Sequence, residues 1–283
     1  GSDTTTSEES DTAESNRGAL ISLTVRVGGA VGNSDTGMDG GDVSVDVSHQ
    51  IITHGSRSMG VIAQSIGGGG GYASQDATAF AETNVGAGAG ANHSHGRTVD
   101  VQLETGGRIE TYGRGAWGIL AQSIGGGGGF VGDSSLSMGL LASNTVANVC
   151  CGDYRTGSDG GTVSIQLASG SSINTYGTNA HGIVAQSVGG GGGIAAGGNN
   201  DRGALVYMGN PHAAEWDAAD LPDIEWTGQG GAINIGIEQG AAVSVYGKGS
   251  FGVLAQSTGN SSYQSPIAIN VDGSVFAGGT SAN

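Results

Sequence analysis

Ala63-Gln64-Ser65-Ile66, followed by the five glycines Gly67 to Gly71, decides how this chain is read, because the same run returns three more times. The copies are Ala121-Gln122-Ser123-Ile124 with Gly125 to Gly129, Ala185-Gln186-Ser187-Val188 with Gly189 to Gly193, and Ala255-Gln256-Ser257-Thr258-Gly259, where the glycine run fails. Successive copies are 58, 64 and 70 residues apart. Self-similarity at such a period marks units that bury their apolar faces only by stacking on one another.

Around each copy the chain reads as strand. Gly41 to Ala63, Gly161 to Ala185 and Gly231 to Ala255 are nearly constant in length. Each holds three short strand signals divided by turn residues, such as Val163 to Leu167, Ile173 to Tyr176 and Gly182 to Ala185. Three strands in roughly two dozen residues is one coil of a parallel β-helix. The intervals 72–95, 130–160 and 194–230 carry most of the length variation and some apolar alternation, including Leu136, Met138, Leu140 and the segment Ala204 to Met208. Each is expected to form a second coil with a loop of variable size. Eight or nine coils would then make a rod about 40 Å long. An earlier strand signal begins at Ala19, with Ile21, Leu23, Val25 and Val27 on one face.

Composition agrees with an array. Gly accounts for 59 of 283 residues, about three times ordinary usage, while 12% of residues are charged and 5% aromatic. Such a chain cannot fill a wide globular core. The net charge of −16, with nine Lys plus Arg and a single lysine (Lys248), fits neither phosphate backbones nor anionic lipid heads, so no nucleic-acid partner is expected. No run approaches the eighteen or so apolar residues that a membrane helix needs, so no membrane insertion is expected either. Residues 1–17 are rich in Ser, Thr, Asp and Glu and read as an acidic flexible leader; residues 18–283 read as one β-helical repeat domain.

Five consecutive glycines cost several kcal/mol per copy in backbone entropy, at roughly 0.5–1 kcal/mol each, so something must require them. One reading is a corner where backbones stack too closely for Cβ atoms or need positive φ. The other is a side-chain-free association edge carried by Gly67, Gly69, Gly125, Gly127, Gly189 and Gly191. Gln64, Gln122, Gln186 and Gln256 could form an amide ladder; bonds to local backbone are expected instead, since intervening coils would separate them.

The run Gly-Ile-x-Ala-Gln-Ser-Ile-Gly-Gly, preceded by Ile-x-Thr-Tyr-Gly at Ile109 to Gly113 and Ile173 to Gly177, resembles the glycine-rich passenger repeats of bacterial autotransporters. The resemblance covers about residues 19–283. It implies a secreted, cell-surface β-helix, often an adhesin, exported through an outer-membrane barrel. This sequence contains neither barrel nor signal peptide, so the resemblance implies a passenger fragment.

Motifs for chemistry are weighed against the repeat. Ala-Gln-Ser-Ile-Gly looks like a variant nucleophile elbow, yet Ser65, Ser123, Ser187 and Ser257 recur with the repeat and no helix signal follows them. Gly40 to Asp46 partly resembles a calcium-binding nonapeptide but lacks its third glycine and tandem copies, and His93 and His95 read as a solvated loop. The adjacent Cys150 and Cys151 lack a CxxC spacing and read as structural or incidental. No metal or other cofactor is expected. The interval from Ile194 to Gly230 departs most from the others, and its candidate ligand surface is Trp216, Asp217, Asp220, Asp223 and Trp226. Aromatics beside carboxylates suit a sugar or a protein, and a loop packed on the flank of the rod explains the same residues.

The sequence therefore predicts an all-β, right-handed parallel β-helix of roughly 60-residue two-coil repeats. Its expected role is a non-catalytic structural or adhesive module at the bacterial surface, contacting itself or a host or matrix glycan or protein. The alternative is a polysaccharide-degrading β-helix enzyme, a glycosidase or lyase.

Overall fold

The computed structural model describes residues 23–27, 38–75, 81–85, 93–133, 147–149, 158–196, 205–209, 228–259 and 265–279. Among them every regular element is a strand. In chain order these are β1 (Leu23–Val27), β2 (Val43–Val47), β3 (Gln50–Thr53), β4 (Val61–Ile66), β5 (Gly70–Gln75) and β6 (Ala81–Val85). Then come β7 (Val99–Leu103), β8 (Arg108–Thr111), β9 (Ile119–Ile124), β10 (Gly128–Asp133) and β11 (Ala147–Val149). The third repeat gives β12 (Val163–Leu167), β13 (Ser172–Thr175), β14 (Ile183–Val188), β15 (Gly192–Ala196) and β16 (Leu205–Gly209). The chain continues through β17 (Ile233–Ile237), β18 (Ala242–Val245), β19 (Val253–Thr258), β20 (Ile267–Val271) and β21 (Ser274–Ala277).

Strands of like position stack into five sheets. Sheet I is β2-β7-β12-β17-β20, sheet II is β3-β8-β13-β18-β21 and sheet III is β4-β9-β14-β19. Sheet IV is β5-β10-β15-β16 and sheet V is β1-β6-β11. All pairings are parallel except that of β15 with β16. This is a parallel β-helix, as the periodicity predicts.

The expected second coil lies elsewhere. From β2 to β19 each strand of sheets I to III pairs with its counterpart one whole repeat on, so Ala121 pairs with Ala63 below and Ala185 above. A repeat is therefore one rung, not two coils. The strands that open the variable intervals, β5, β10 and β15, stack as sheet IV beside the outer face of sheet III, a second lobe at the same level. Five rungs in sheet I replace the eight or nine coils and span roughly 19 Å from first strand to last.

Alternation builds the first lobe. In β7 and β12 the pattern is buried, half-buried, buried, which turns Val99, Val101, Leu103, Val163, Ile165 and Leu167 inward. They meet Ile109 and Ile173 from sheet II and Ile119, Ala121, Ile183 and Ala185 from sheet III. Sheet III is covered on both faces, and β9 and β14 are buried at every position. On its outer face Leu120 and Val184 pack with Trp117, Phe130 and Ile194, so the second lobe has its own apolar seam.

The glycine runs are the corner between sheets III and IV. In the second copy Gly126 to Gly129 have φ of 82°, 88°, 144° and 142°, and the first and third copies repeat the pattern. Side chains other than glycine are strained there. A Cβ on Gly128 would also run into the carbonyl oxygen of Gly192 on the next rung. Gly67, Gly125, Gly127, Gly189 and Gly191 are buried and Gly69 is half-buried. The association-edge reading is corrected accordingly: these backbones are spent on one another and are not offered to another chain. Where the fourth copy lacks the run, no further sheet IV strand follows among the described residues, and antiparallel β16 covers β15 instead.

Candidate functional site

Four turns connect sheet II to sheet III: His54 to Met59, Tyr112 to Trp117, Tyr176 to His181 and Tyr246 to Phe251. Each begins with a ring followed by glycine. The inward hydroxyls of Thr111 and Thr175 donate to the carbonyls of Ala116 and Ala180, at 2.5 and 2.6 Å, and pin the turns from inside. The fourth turn position is left-handed: Gly115 and Gly249 have φ of 62° and 70°, yet Arg57 and Asn179 hold φ of 56° at the same place.

Because the rungs are in register, the first residues of these turns form an outer ladder. His54 stacks on Tyr112 at 5.0 Å between centroids, Tyr112 on Tyr176 at 4.7 Å, and Tyr176 on Tyr246 at 5.0 Å. Phe276 continues the row at 5.7 Å. The three tyrosines remain 40–42% exposed, with their faces closed by neighbours and their edges outward. Tyr112 donates from its hydroxyl to Glu110 Oε2 at 3.3 Å, and Glu110 is buried and paired with Arg108. Desolvation, and then the negative charge of Glu110, raises the Tyr112 pKa above its ordinary value. Tyr176 shifts the same way, through desolvation and then its coupling to Tyr112 and Glu110. The four turns contain Arg57, Arg114 and Lys248 and no Asp or Glu, on a chain of net charge −16.

The last residues of the turns form an inner ladder. Trp117 packs on His181 at 4.9 Å and His181 stacks on Phe251 at 5.0 Å. His181 Nδ1 accepts from the Phe251 N–H at 3.0 Å, which leaves the proton on Nε2, a buried atom without a hydrogen-bond partner. Desolvation lowers the His181 pKa from 6.5 to about 4.

Among the described residues, Asp46 and Asp100 lie in β2 and β7 of sheet I. Asp39 accepts from the His95 N–H at 2.8 Å and pairs with Arg97; these contacts, the backbone bond first, hold its carboxyl below the usual range.

The residues singled out in the sequence fall as follows. Trp216, Asp217, Asp220, Asp223 and Trp226 lie outside the described residues, as do Cys150 and Cys151 and residues 1–17. The repeated serines are committed to backbone: Ser123 Oγ accepts from Gly161 N–H and donates to the Arg97 carbonyl, both at 2.7 Å. His93 is exposed and His95 half-buried in a segment without regular structure, and His95 Nδ1 also accepts from the Asp159 N–H of the next rung at 3.1 Å. Asp42 accepts from the Thr98 N–H at 3.1 Å. Among the described residues no three of His, Cys, Asp and Glu are placed to hold a metal ion.

The glutamine expectation is corrected. Gln64 donates to Gln122 at 2.6 Å, Gln122 to Gln186 at 2.7 Å and Gln186 to Gln256 at 2.8 Å. The ladder forms because the repeats are direct neighbours, with no coil between them. A bond to nearby backbone exists as well, since Gln122 and Gln186 donate to the carbonyls of Gly129 and Gly193 at 3.3 and 3.1 Å.

The tyrosine row had a signal, the Tyr-Gly that closes each Ile-x-Thr-Tyr-Gly segment, but stacking could be read only once the rung spacing was known. Fold and corner together define a β-helical repeat protein with an exposed ring ladder. Comparison with known proteins found no matching family model, no matching curated protein and no matching solved structure.

Proposed function

We propose that this chain is a surface-exposed, non-catalytic adhesive module: a rigid β-helix that holds one contact stripe in register, as in the autotransporter passengers its repeats resemble. The observation that carries this reading is the outer ladder. Exposed aromatic edges in a straight row, beside a cationic set of turns, form a contact surface that the fold does not need for its core. Rigidity suits the role, because a stacked β-helix loses little entropy when it binds.

The test is to coat beads with the purified chain and follow clumping, and capture of bacterial or matrix material, against salt and pH. Each chain carries a net charge of −16, so clumping by self-contact should strengthen with added salt or mild acid. Beads that neither clump nor capture anything under any condition would overturn the adhesive reading.

A further inference from the structure

The outer ladder brings oxidisable rings and one base together. Tyr112, Tyr176 and Tyr246 stack at 4.7 and 5.0 Å between centroids, with interplanar angles of 8° at both contacts. Rings packed that closely pass an electron hole from one to the next, so an oxidation anywhere in the row is shared along it. Where the hole settles depends on the proton. A phenol that has lost an electron is a strong acid, and its radical persists only where a base takes the phenolic proton. Tyr112 has such a base: its hydroxyl donates to Glu110 Oε2 at 3.3 Å, and Glu110 is buried and paired with Arg108. The next rungs place Asn174 and then Ser244 in register with Glu110, and the rung below places Ile52 there. The carboxylate therefore serves one tyrosine of the row.

The stack also decides which bond an oxidised ring can form. Parallel faces hold the carbons beside the hydroxyls of neighbouring rings a full stacking distance apart, too far to join. The edges are 40–42% exposed and open outward, toward a ring on another chain.

We propose that Tyr112 is a site of one-electron oxidation, supplied with holes by Tyr176 and Tyr246 and relieved of its proton by Glu110, and that two such radicals on different copies join as a dityrosine cross-link. Each tyrosine gives up one electron and one proton. The radicals form a carbon–carbon bond between the ring carbons beside their hydroxyls, and each ring then shifts the hydrogen on that carbon, as a proton, to its oxygen. The two electrons and two protons released reduce one hydrogen peroxide to two waters through a haem peroxidase, the class of oxidant the reaction requires. The inference goes beyond the adhesive reading and is judged separately, since clumping of beads needs no oxidant.

The experiment treats the intact chain with a haem peroxidase and hydrogen peroxide, and reads dityrosine fluorescence, dimers on denaturing gels and the linked residues by peptide mass spectrometry. Dimers joined through Tyr112 are expected, in greater yield as salt screens the net charge of −16. Tyr112→Phe keeps a ring in the stack and should lower the dimer yield at least fivefold. Glu110→Gln removes the base and should lower the share of links at Tyr112 at least threefold, with the melting temperature reporting whether each variant stays folded. The double variant Glu110→Gln, Asn174→Glu moves the carboxylate up one rung, and should move the link to Tyr176. That shift is one that a merely structural role for Glu110 would not produce. No dityrosine at any salt, links confined to tyrosines outside the row, or an undiminished yield from folded Tyr112→Phe overturns the proposal. Links that stay at Tyr112 in both Glu110 variants overturn the role of the base.

Discussion

His181 occupies a position where the rungs on either side carry Trp117 and Phe251, and it behaves as an aromatic ring that can take up a proton. Its pKa falls from 6.5 to about 4 because burial penalises the imidazolium, and the second proton would have to go to Nδ1, whose lone pair the Phe251 N–H already occupies. The unfolded chain therefore binds a proton at a higher pH than the folded one. Stability from this group is complete above pH 6.5 and is lost as pH falls toward 4, by about 3 kcal/mol in all. Urea unfolding followed across that range should show the loss, and His181→Phe, which borrows the residue of the next rung, should flatten the part of the slope that carboxylates do not supply. An unchanged slope in the variant would mean that the folded protein accommodates the imidazolium. None of this was legible beforehand. His181 sits in a loop signal, and its burial depends on two rings that are 64 and 70 residues away. Gln122 and Ser123 were legible as repeated residues, but whether they bonded along the axis or locally turned on the number of coils per repeat, which the periodicity alone left open.

Between β9 and β10 the glycine corner shows how an element can be invisible to strand propensity and still be dictated. β10 starts inside a glycine run, at Gly128, where no β-branched residue announces it. What sets it is conformational: Gly126 to Gly129 all hold positive φ, and the neighbouring runs above and below leave no room for side chains. Gly128→Ala should cost roughly 3 kcal/mol or more, since it adds a collision with the Gly192 backbone to the strain at φ 144°. Gly106→Ala is the matched control: φ is 79° but nothing lies within 4 Å of the added Cβ, so about 1–2 kcal/mol of strain is expected alone. Thermal denaturation of the two variants separates crowding from conformation, and equal losses would remove crowding as the reason for the run. The strands of sheets I to III were read from alternation and turn glycines, and β12 matches its expected limits from Val163 to Leu167. β14 runs on to Val188, beyond the expected Ala185, because the Gln and Ser of the repeat are strand residues with the seam of the second lobe on one side. β16 was announced by the apolar segment Ala204 to Met208, but its antiparallel direction was not legible in the sequence.

On the scale of the whole molecule, stability in a stack of rungs is a sum of nearest-neighbour contacts, so a rung with neighbours on both sides is held more firmly than one at an end. Sheet I displays the difference directly. Val163, Ile165 and Leu167 are fully buried in its central strand, whereas Ile267, Ile269 and Val271, pointing the same way in β20, are 44–45% exposed. The side chains are of similar size, so the contrast is one of coverage and not of composition. Local opening of β20 and β21 breaks pairings on one side only, while opening β7 or β12 breaks pairings on two sides. Amide hydrogen exchange should therefore be fastest in β20 and β21 and slowest in β7 and β12. Added salt should slow exchange at every rung by screening the net charge of −16, without changing that order. Uniform protection along sheet I would instead mean that the second lobe and its seam of Trp117, Phe130 and Ile194 couple the rungs into one unit that opens only as a whole.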